Sequence, residues 1–214
     1  MRIPKHIAII PDGNRRWAQA QGYRKQDGYR FGLDPGVECL RLAHACGVQE
    51  LTFYGFTTDN CKRPRHEVQA FQQACVEAVE RIRDEGAALL VVGNSESAMF
   101  PSALLPYTGR RVAFGDGAVK VNFLVNYGWE WDLGHMQTIS ADRKKICENL
   151  RSKDVSRVDL VIRWGDRKRL SGLLPVQTVY ADIYTVDALW PAFTPDQFKQ
   201  ALSWYDRQDV TLGG

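Results

Sequence analysis

Short, almost continuously apolar runs alternate with longer amphipathic stretches along the chain. The runs are HIAII (6–10), ELTFYGF (50–56), ALLVV (88–92), VKVNFLV (119–125) and VDLVIR (158–163). Strands covered on both faces have no need of polar alternation, so these five segments read as buried strands. Between Pro64 and Glu85, Val68, Phe71, Cys75, Ala78, Val79 and Ile82 recur at steps of three and four. That is the period of a helix with one buried face, and Gly86 supplies its stop. Another helix is predicted from Pro35, with Asp34 as N-cap and Gly47 just past its end. Thr194-Pro195-Asp196-Gln197 has the pattern of a capping box and opens a helix to about Arg207. Strands separated by helices imply right-handed crossovers. The predicted class is α/β, with a mainly parallel central sheet flanked by helices and one domain over residues 1–214.

Composition narrows the functional classes. With 28 basic and 25 acidic side chains the net charge is only +3, so no nucleic-acid partner is expected from the total. A 44% hydrophobic content argues against disorder. The five cysteines (Cys39, Cys46, Cys61, Cys75, Cys147) include no CxxC spacing. Cys39, Cys46 and Cys75 fall on apolar faces of predicted helices and read as buried free thiols. The opening MRIPKHIAII lacks a signal-peptide pattern, and no run approaches the ~20 apolar residues of a membrane span. A cytoplasmic protein without a transmembrane segment is expected.

Ligands of parallel sheets bind beyond the carboxyl ends of the strands, and three polar clusters follow strands directly. In the first, HIAII runs into Pro11-Asp12-Gly13-Asn14-Arg15-Arg16-Trp17. Gly13 permits a tight turn, Trp17 and Ala18 begin a helix, and the two arginines add fork-shaped donors for an anion. A carboxylate at Asp12 would repel a phosphate unless Mg²⁺ bridged the two. The same residues also suit an ordinary polar turn capped by Asp12. In the second cluster, Thr57, Thr58, Asp59 and Asn60 offer hydroxyl, carboxylate and amide groups, and Arg63 precedes a helix. A capped loop is the alternative there, and His66 reads as a surface helix residue. In the third, Arg163, Arg167, Lys168 and Arg169 lie within seven residues, with Ser171 beyond, forming either a second anion site or a solvated charge run.

HIAIIPDGNRRWA resembles the opening signature of the cis-prenyltransferases, the family of undecaprenyl diphosphate synthase. The resemblance implies that Asp12 holds Mg²⁺ and assists departure of an allylic diphosphate, whose phosphates Gly13, Asn14, Arg15 and Arg16 grip. Lys25 stands where the family usually has a phosphate-binding Arg, and Tyr29 where it usually has a His. FTTDNCKRPRHE is similar to the family's F-S-x-E-N-W-x-R-P-x-x-E. By that likeness Asn60 and Thr57 steer condensation and proton loss, and Arg63 contacts phosphate. VDLVIRWGDRKRLSG resembles D-L-x-I-R-T-x-G-E-x-R-x-S-N, placing Arg163, Arg169 and Ser171 on the diphosphate of isopentenyl diphosphate. In YADIYTVDALWPAF, Asp182 occupies the place of the second Mg²⁺ carboxylate. An apolar tunnel behind Gly55 and Phe71, and a homodimer, are also implied.

The departures concentrate in the second site. Asp166 and Arg167 replace Gly and Glu, Trp164 replaces Thr, Gly172 replaces Asn, and Cys61 replaces a Trp. The family's R-x-G is not found in Thr211-Leu212-Gly213-Gly214. The resemblance implies Mg²⁺-dependent condensation of an allylic diphosphate with isopentenyl diphosphate to a short Z-prenyl diphosphate. Irregular coupling or cyclisation of two allylic diphosphates, of the lavandulyl type, is the alternative. A non-catalytic partner subunit is the third reading, and the retained Asp12 argues against it.

Overall fold

In the computed structural model, which describes residues 1–134, 136 and 142–209, every predicted strand forms. They are β1 (His6–Ile10), β2 (Glu50–Thr57), β3 (Ala88–Val92), β5 (Lys120–Tyr127) and β6 (Leu160–Trp164). Two more, β4 (Val112–Ala113) and β7 (Asp182–Val186), complete one sheet in the order β4-β3-β5-β2-β1-β6-β7. All neighbours are parallel except β3 and β4. The two unforeseen strands lack the buried signature: β4 has two residues, and four of the five β7 residues are partly or fully exposed at the sheet's edge.

β1 lies between β2 and β6, and all five of its residues are buried. Ile7 and Ile9 pack with Leu51, Val79 and Phe198 on one face, while Ala8 and Ile10 pack with Leu124, Val161 and Leu173 on the other. The alternation of faces with uninterrupted burial is the physical content of an all-apolar strand.

Seven α-helices are described: α1 (Asn14–Ala20), α2 (Gly28–Phe31), α3 (Leu33–Ala45), α4 (Arg65–Asp84), α5 (Trp129–Leu133), α6 (Arg143–Glu148) and α7 (Pro195–Asp206). α4 stops before Gly86, whose φ is +72°. In α7 the reciprocal capping bonds of Thr194 and Gln197 are both present. Two starts differ from expectation. α1 begins at Asn14 rather than Trp17, because the chain turns within Pro11–Gly13. α3 begins at Leu33 with Gly32 before it, so Asp34 lies inside the first turn and pairs with Arg81 of α4 instead of capping. Pro35 is tolerated there because amides of the first turn have no helical acceptor. Cys39 and Cys75 are buried, Cys46 is partly so, and His66 is exposed. The reading of residues 211–214 lies outside the described residues. None of the described helices is long and apolar enough to cross a membrane.

A buried polar knot ties α5 to the loops beneath it. Asp132, fully buried, accepts hydrogen bonds from the Tyr127 hydroxyl (2.8 Å), the Ser152 amide (2.8 Å) and the Ser152 hydroxyl (2.6 Å). Gln177 Nε2 donates to Ser152 Oγ at 2.7 Å. Burial, reinforced by the Asp132 carboxylate, pushes the Tyr127 phenol far above its ordinary range, so it remains a donor. The knot fixes the far end of the loop that leaves β6.

Candidate active site

The ends of β1, β2 and β6 converge on one polar cavity. Beyond β1, the Asp12 amide bonds back to the Ile10 carbonyl at 2.9 Å, and Gly13 turns the chain with φ +107°. A Cβ at Gly13 would come within 2.8 Å of the Leu189 side chain, so both conformation and space call for glycine. Asp12 Oδ2 accepts from Arg163 Nη2 at 2.8 Å, and Oδ1 lies 3.5 Å from Arg16. Parallel pairing sets this meeting: Ile10, two residues before Asp12, is opposite Arg163 in the register of β1 and β6.

Arg163 is only 4% exposed. Its Nη1 donates to Ser171 Oγ at 2.8 Å and to the Arg169 carbonyl, while buried Nε has no partner among the described residues. The loop holding these groups is unusual. Gly165, Asp166, Ser171 and Gly172 all have positive φ. Asp166 and Ser171 each carry a strain of roughly 1–3 kcal/mol for a side-chain-bearing residue there. Gly165 also admits a close approach, since a Cβ would lie 2.7 Å from Arg16 Nη2 and 3.0 Å from the Asp12 carbonyl. The Tyr54 hydroxyl holds the Ser171 carbonyl at 2.8 Å.

The second cluster closes the other side. Thr57 Oγ1 accepts from the Asn60 amide at 3.3 Å, and Asn60 Oδ1 accepts from the Thr57 amide at 3.1 Å. This reciprocal cap leaves Asn60 Nδ2 unpaired among the described residues. Arg63 Nη1 donates to the Tyr29 hydroxyl at 3.0 Å. Burial raises the Tyr29 phenol above its ordinary value, although Arg63 and Arg15 oppose that, so the group is neutral. Arg15 pairs at 3.0 Å with Glu67, itself buried.

The resulting cavity, about 420 Å³, has Arg15, Arg16, Arg63, Arg163 and Arg169 in its wall against only Asp12 and Asp59 as acids. Asp59 is largely occupied with Lys62 at 2.6 Å on the surface. Gly13, Asn14, Tyr29, Thr57, Asn60 and Ser171 complete the expected residues that the fold gathers there. Such an excess of fixed cations in a cleft is suited to a polyanion. Behind it, between α3, α4 and the sheet, lies an apolar cavity of about 100 Å³. Asn14, Tyr29, Tyr54, Gly55 and Phe71 border both.

Four expected residues stand elsewhere. Lys25 is exposed and does not line the cavity. Trp17 packs its ring against Phe31 (4.9 Å) and Tyr23 (6.3 Å), joining α1 to α2. Thr58 opens a single turn after β2 and also stays out of the wall. The largest correction concerns Asp182. β7 runs parallel to β6 with Asp182 opposite Leu160 and Thr185 opposite Arg163. Asp182 therefore begins its strand, about 10 Å back from the strand ends where Asp12 lies, and its amide bonds the Asp159 carbonyl at 3.0 Å. One chain does not bring Asp12 and Asp182 to a common ion.

Tyr54 and Gly165 were not singled out from the sequence. Tyr54 was hidden inside an apolar strand, and Gly165 in a loop whose φ values no pattern announces.

No cluster of three metal-ligating side chains occurs among the described residues. The donor set at Asp12 nonetheless fits Mg²⁺, which commonly takes one or two carboxylates and completes its shell from substrate phosphates and water.

The family model for undecaprenyl diphosphate synthases (Prenyltransf) matches residues 10–213. The ditrans,polycis-undecaprenyl-diphosphate synthase of Escherichia coli K12, named as specific for (2E,6E)-farnesyl diphosphate, is 30% identical over 229 residues, covering 98% of this chain and 90% of its own. That of Aliivibrio fischeri is 28% identical over 230 residues, covering 99% and 89%. Among solved structures, lavandulyl diphosphate synthase from Lavandula x intermedia, in complex with dimethylallyl diphosphate, superposes with a TM-score of 0.85 over 99% of both chains at 20% identity. That likeness concerns the fold alone. The family match over nearly the whole chain, together with the convergence of β1, β2 and β6 on an arginine-lined cavity, places this prenyltransferase in the undecaprenyl diphosphate synthase family.

Proposed function

We propose that residues 1–214 act as one Mg²⁺-dependent catalytic unit that joins a five-carbon allylic diphosphate to isopentenyl diphosphate, giving a short Z-prenyl diphosphate. The observation that carries this reading is the junction of a large cationic cavity with a small apolar one. A cavity of ~150 Å³ takes one benzene. About 100 Å³ is smaller than that, which supports a donor tail of one isoprene unit over a fifteen-carbon chain.

In this reading Arg15, Arg16 and Arg63 bind the donor's diphosphate, with Asn14 and Gly13 shaping the turn beneath it. Asp12 would hold Mg²⁺, which would supply charge neutralisation to the leaving group. The donor C–O bond breaks and its electrons pass to the diphosphate. Fixed arginine donors stabilise that charge without reorganising, an effect worth roughly 10²–10³-fold per donor. Arg163, Arg169 and Ser171 hold the acceptor's diphosphate, so that its double bond attacks the donor carbon. Asn60 Nδ2, freed by the Thr57 cap, orients the acceptor as it loses a proton. The neutral Tyr29 phenol is no base, and a departing diphosphate oxygen is the acceptor of that proton. Aromatic walls at Tyr29, Tyr54 and Phe71 exclude water from the cation.

Incubation with Mg²⁺ and dimethylallyl diphosphate, with and without isopentenyl diphosphate, tests the reading. The expected product is a ten-carbon Z-diphosphate that forms only when both substrates are present. Product from dimethylallyl diphosphate alone would instead establish irregular coupling, and no transfer with any donor would leave a non-catalytic subunit.

A homodimer is part of the proposal. β7 leaves one edge of the sheet open, and Val179, Tyr180 and Ile183 beside it are 63%, 43% and 42% exposed. Apolar edges of this kind are covered in working proteins. Sedimentation equilibrium should show twice the 24.3 kDa chain mass, and a purely monomeric profile would remove this element. The five free cysteines suit a reducing cytoplasm.

A further inference from the structure

A stacked pair of rings borders both cavities. Tyr29, at the start of α2, lies with its ring centroid 4.3 Å from that of Phe71 on α4, and the two planes are within 4° of parallel. The pair is held on several sides. Phe56, fully buried, meets Phe71 edge-on at 5.1 Å. The Tyr29 hydroxyl accepts from Arg63 at 3.0 Å, and the Arg63 guanidinium also lies 5.8 Å from the Phe71 ring centre. The opposite wall has no slack, since a Cβ at Gly55 would come within 2.8 Å of Phe123. An offset or parallel aromatic pair adds about 0.5–1.5 kcal/mol beyond its buried area, so the rings resist separation.

We propose that the Tyr29–Phe71 stack is the specificity determinant that limits the allylic donor to a single isoprene unit. The inference rests on the reading of the arginine cavity as the donor-diphosphate site. A donor anchored there must send its hydrocarbon past the two rings. The space beyond them, about 100 Å³, holds one five-carbon unit. Phe71 is in the wall of both cavities, and a second unit would need the space of its ring. Deleting its phenyl ring removes a group the size of benzene, which opens room for about five further carbons. Arg63 then has two tasks, as a phosphate contact and as the tie that keeps Tyr29 in the stack.

The test is a comparison of kcat/KM for dimethylallyl, geranyl and farnesyl diphosphates, with Mg²⁺ and isopentenyl diphosphate, in the full chain and its Phe71→Ala and Phe71→Leu variants. The wild type should favour dimethylallyl diphosphate. Because one methylene in a tight apolar pocket is worth ~10–200-fold, the geranyl-to-dimethylallyl ratio should rise at least about tenfold in Phe71→Ala and less in Phe71→Leu. A thermal melt checks each variant's fold, and Phe71→Leu, which keeps an apolar side chain at the position, carries the test where Phe71→Ala is unfolded. An active wild type with unchanged ratios in the folded variants overturns the gate alone, whereas one that favours farnesyl diphosphate overturns the five-carbon donor and the gate together. A wild type inert with all three donors overturns the site reading and the gate with it.

Discussion

Asp12→Asn is expected to lower turnover by roughly 10²–10³-fold while leaving the chain folded. The size follows from the several kcal/mol that a metal-neutralised leaving group contributes, at 1.36 kcal/mol per tenfold in rate. Asp12 is the only acidic residue in the wall of the arginine cavity that lies beside Arg16 and Arg163, because Asp59 faces outward to Lys62. Asparagine retains an oxygen for the 2.8 Å bond from Arg163, so the β1–β6 junction survives the change. Asp12→Ala loses that oxygen as well and leaves Arg163 buried without its carboxylate. Breaking a fully buried pair costs ~3–5 kcal/mol. Asp12 is about one-third exposed, so a smaller loss, about 1–2 kcal/mol, is expected here. Steady-state diphosphate release at saturating substrate, with a thermal melt of each variant, separates the two effects. Wild-type turnover in a folded Asp12→Asn would contradict the role given to this carboxylate.

The second large effect concerns stability. Asp132→Ala should destabilise the fold by about 3–5 kcal/mol, because it strands three buried donors at ~1–3 kcal/mol each before any relaxation. For a chain of this length that corresponds to a melting temperature lower by about 10 °C or more. The loss should also reach the site. Ser152 and Gln177 form the other half of the knot, and Gln177 lies on the segment that follows Arg169 and Ser171. Freed at its base, that segment holds Arg169 and Ser171, the proposed acceptor site, less firmly. The KM for isopentenyl diphosphate should therefore rise more than the KM for the donor. A melting temperature unchanged in Asp132→Ala would show that the knot carries no stability, and equal changes in both KM values would remove its link to the acceptor side.

The first cluster was legible because its chemistry is local. Strand, turn and arginines all fall within His6–Arg16, and parallel pairing had only to deliver Arg163 opposite the end of β1. The apolar runs announced the central strands for the same reason, since burial on both faces leaves no polar position to confuse the period. What failed was information that only tertiary register contains. Asp182 falls in a motif, but nothing in YADIYTV says whether it begins or ends its strand, and it begins it. Trp17 and Lys25 sit near the turn in sequence, yet the short α1 carries the Trp17 ring into an aromatic cluster with Tyr23 and Phe31. The N-terminus of α3 was misplaced because Pro35 and Asp34 suit two adjacent positions of a first turn equally. The Tyr29–Phe71 stack joins residues 42 apart on different helices, and neither position is unusual in its own segment.

The most direct test of the site is a crystal structure of the full chain with Mg²⁺ and the unreactive thiolo analogue of dimethylallyl diphosphate. The diphosphate is expected among Arg15, Arg16 and Arg63, with an ion at Asp12 and the five-carbon tail in the apolar cavity beside Phe71. An analogue seated elsewhere, or an ion held at Asp182 and not at Asp12, would contradict that placement.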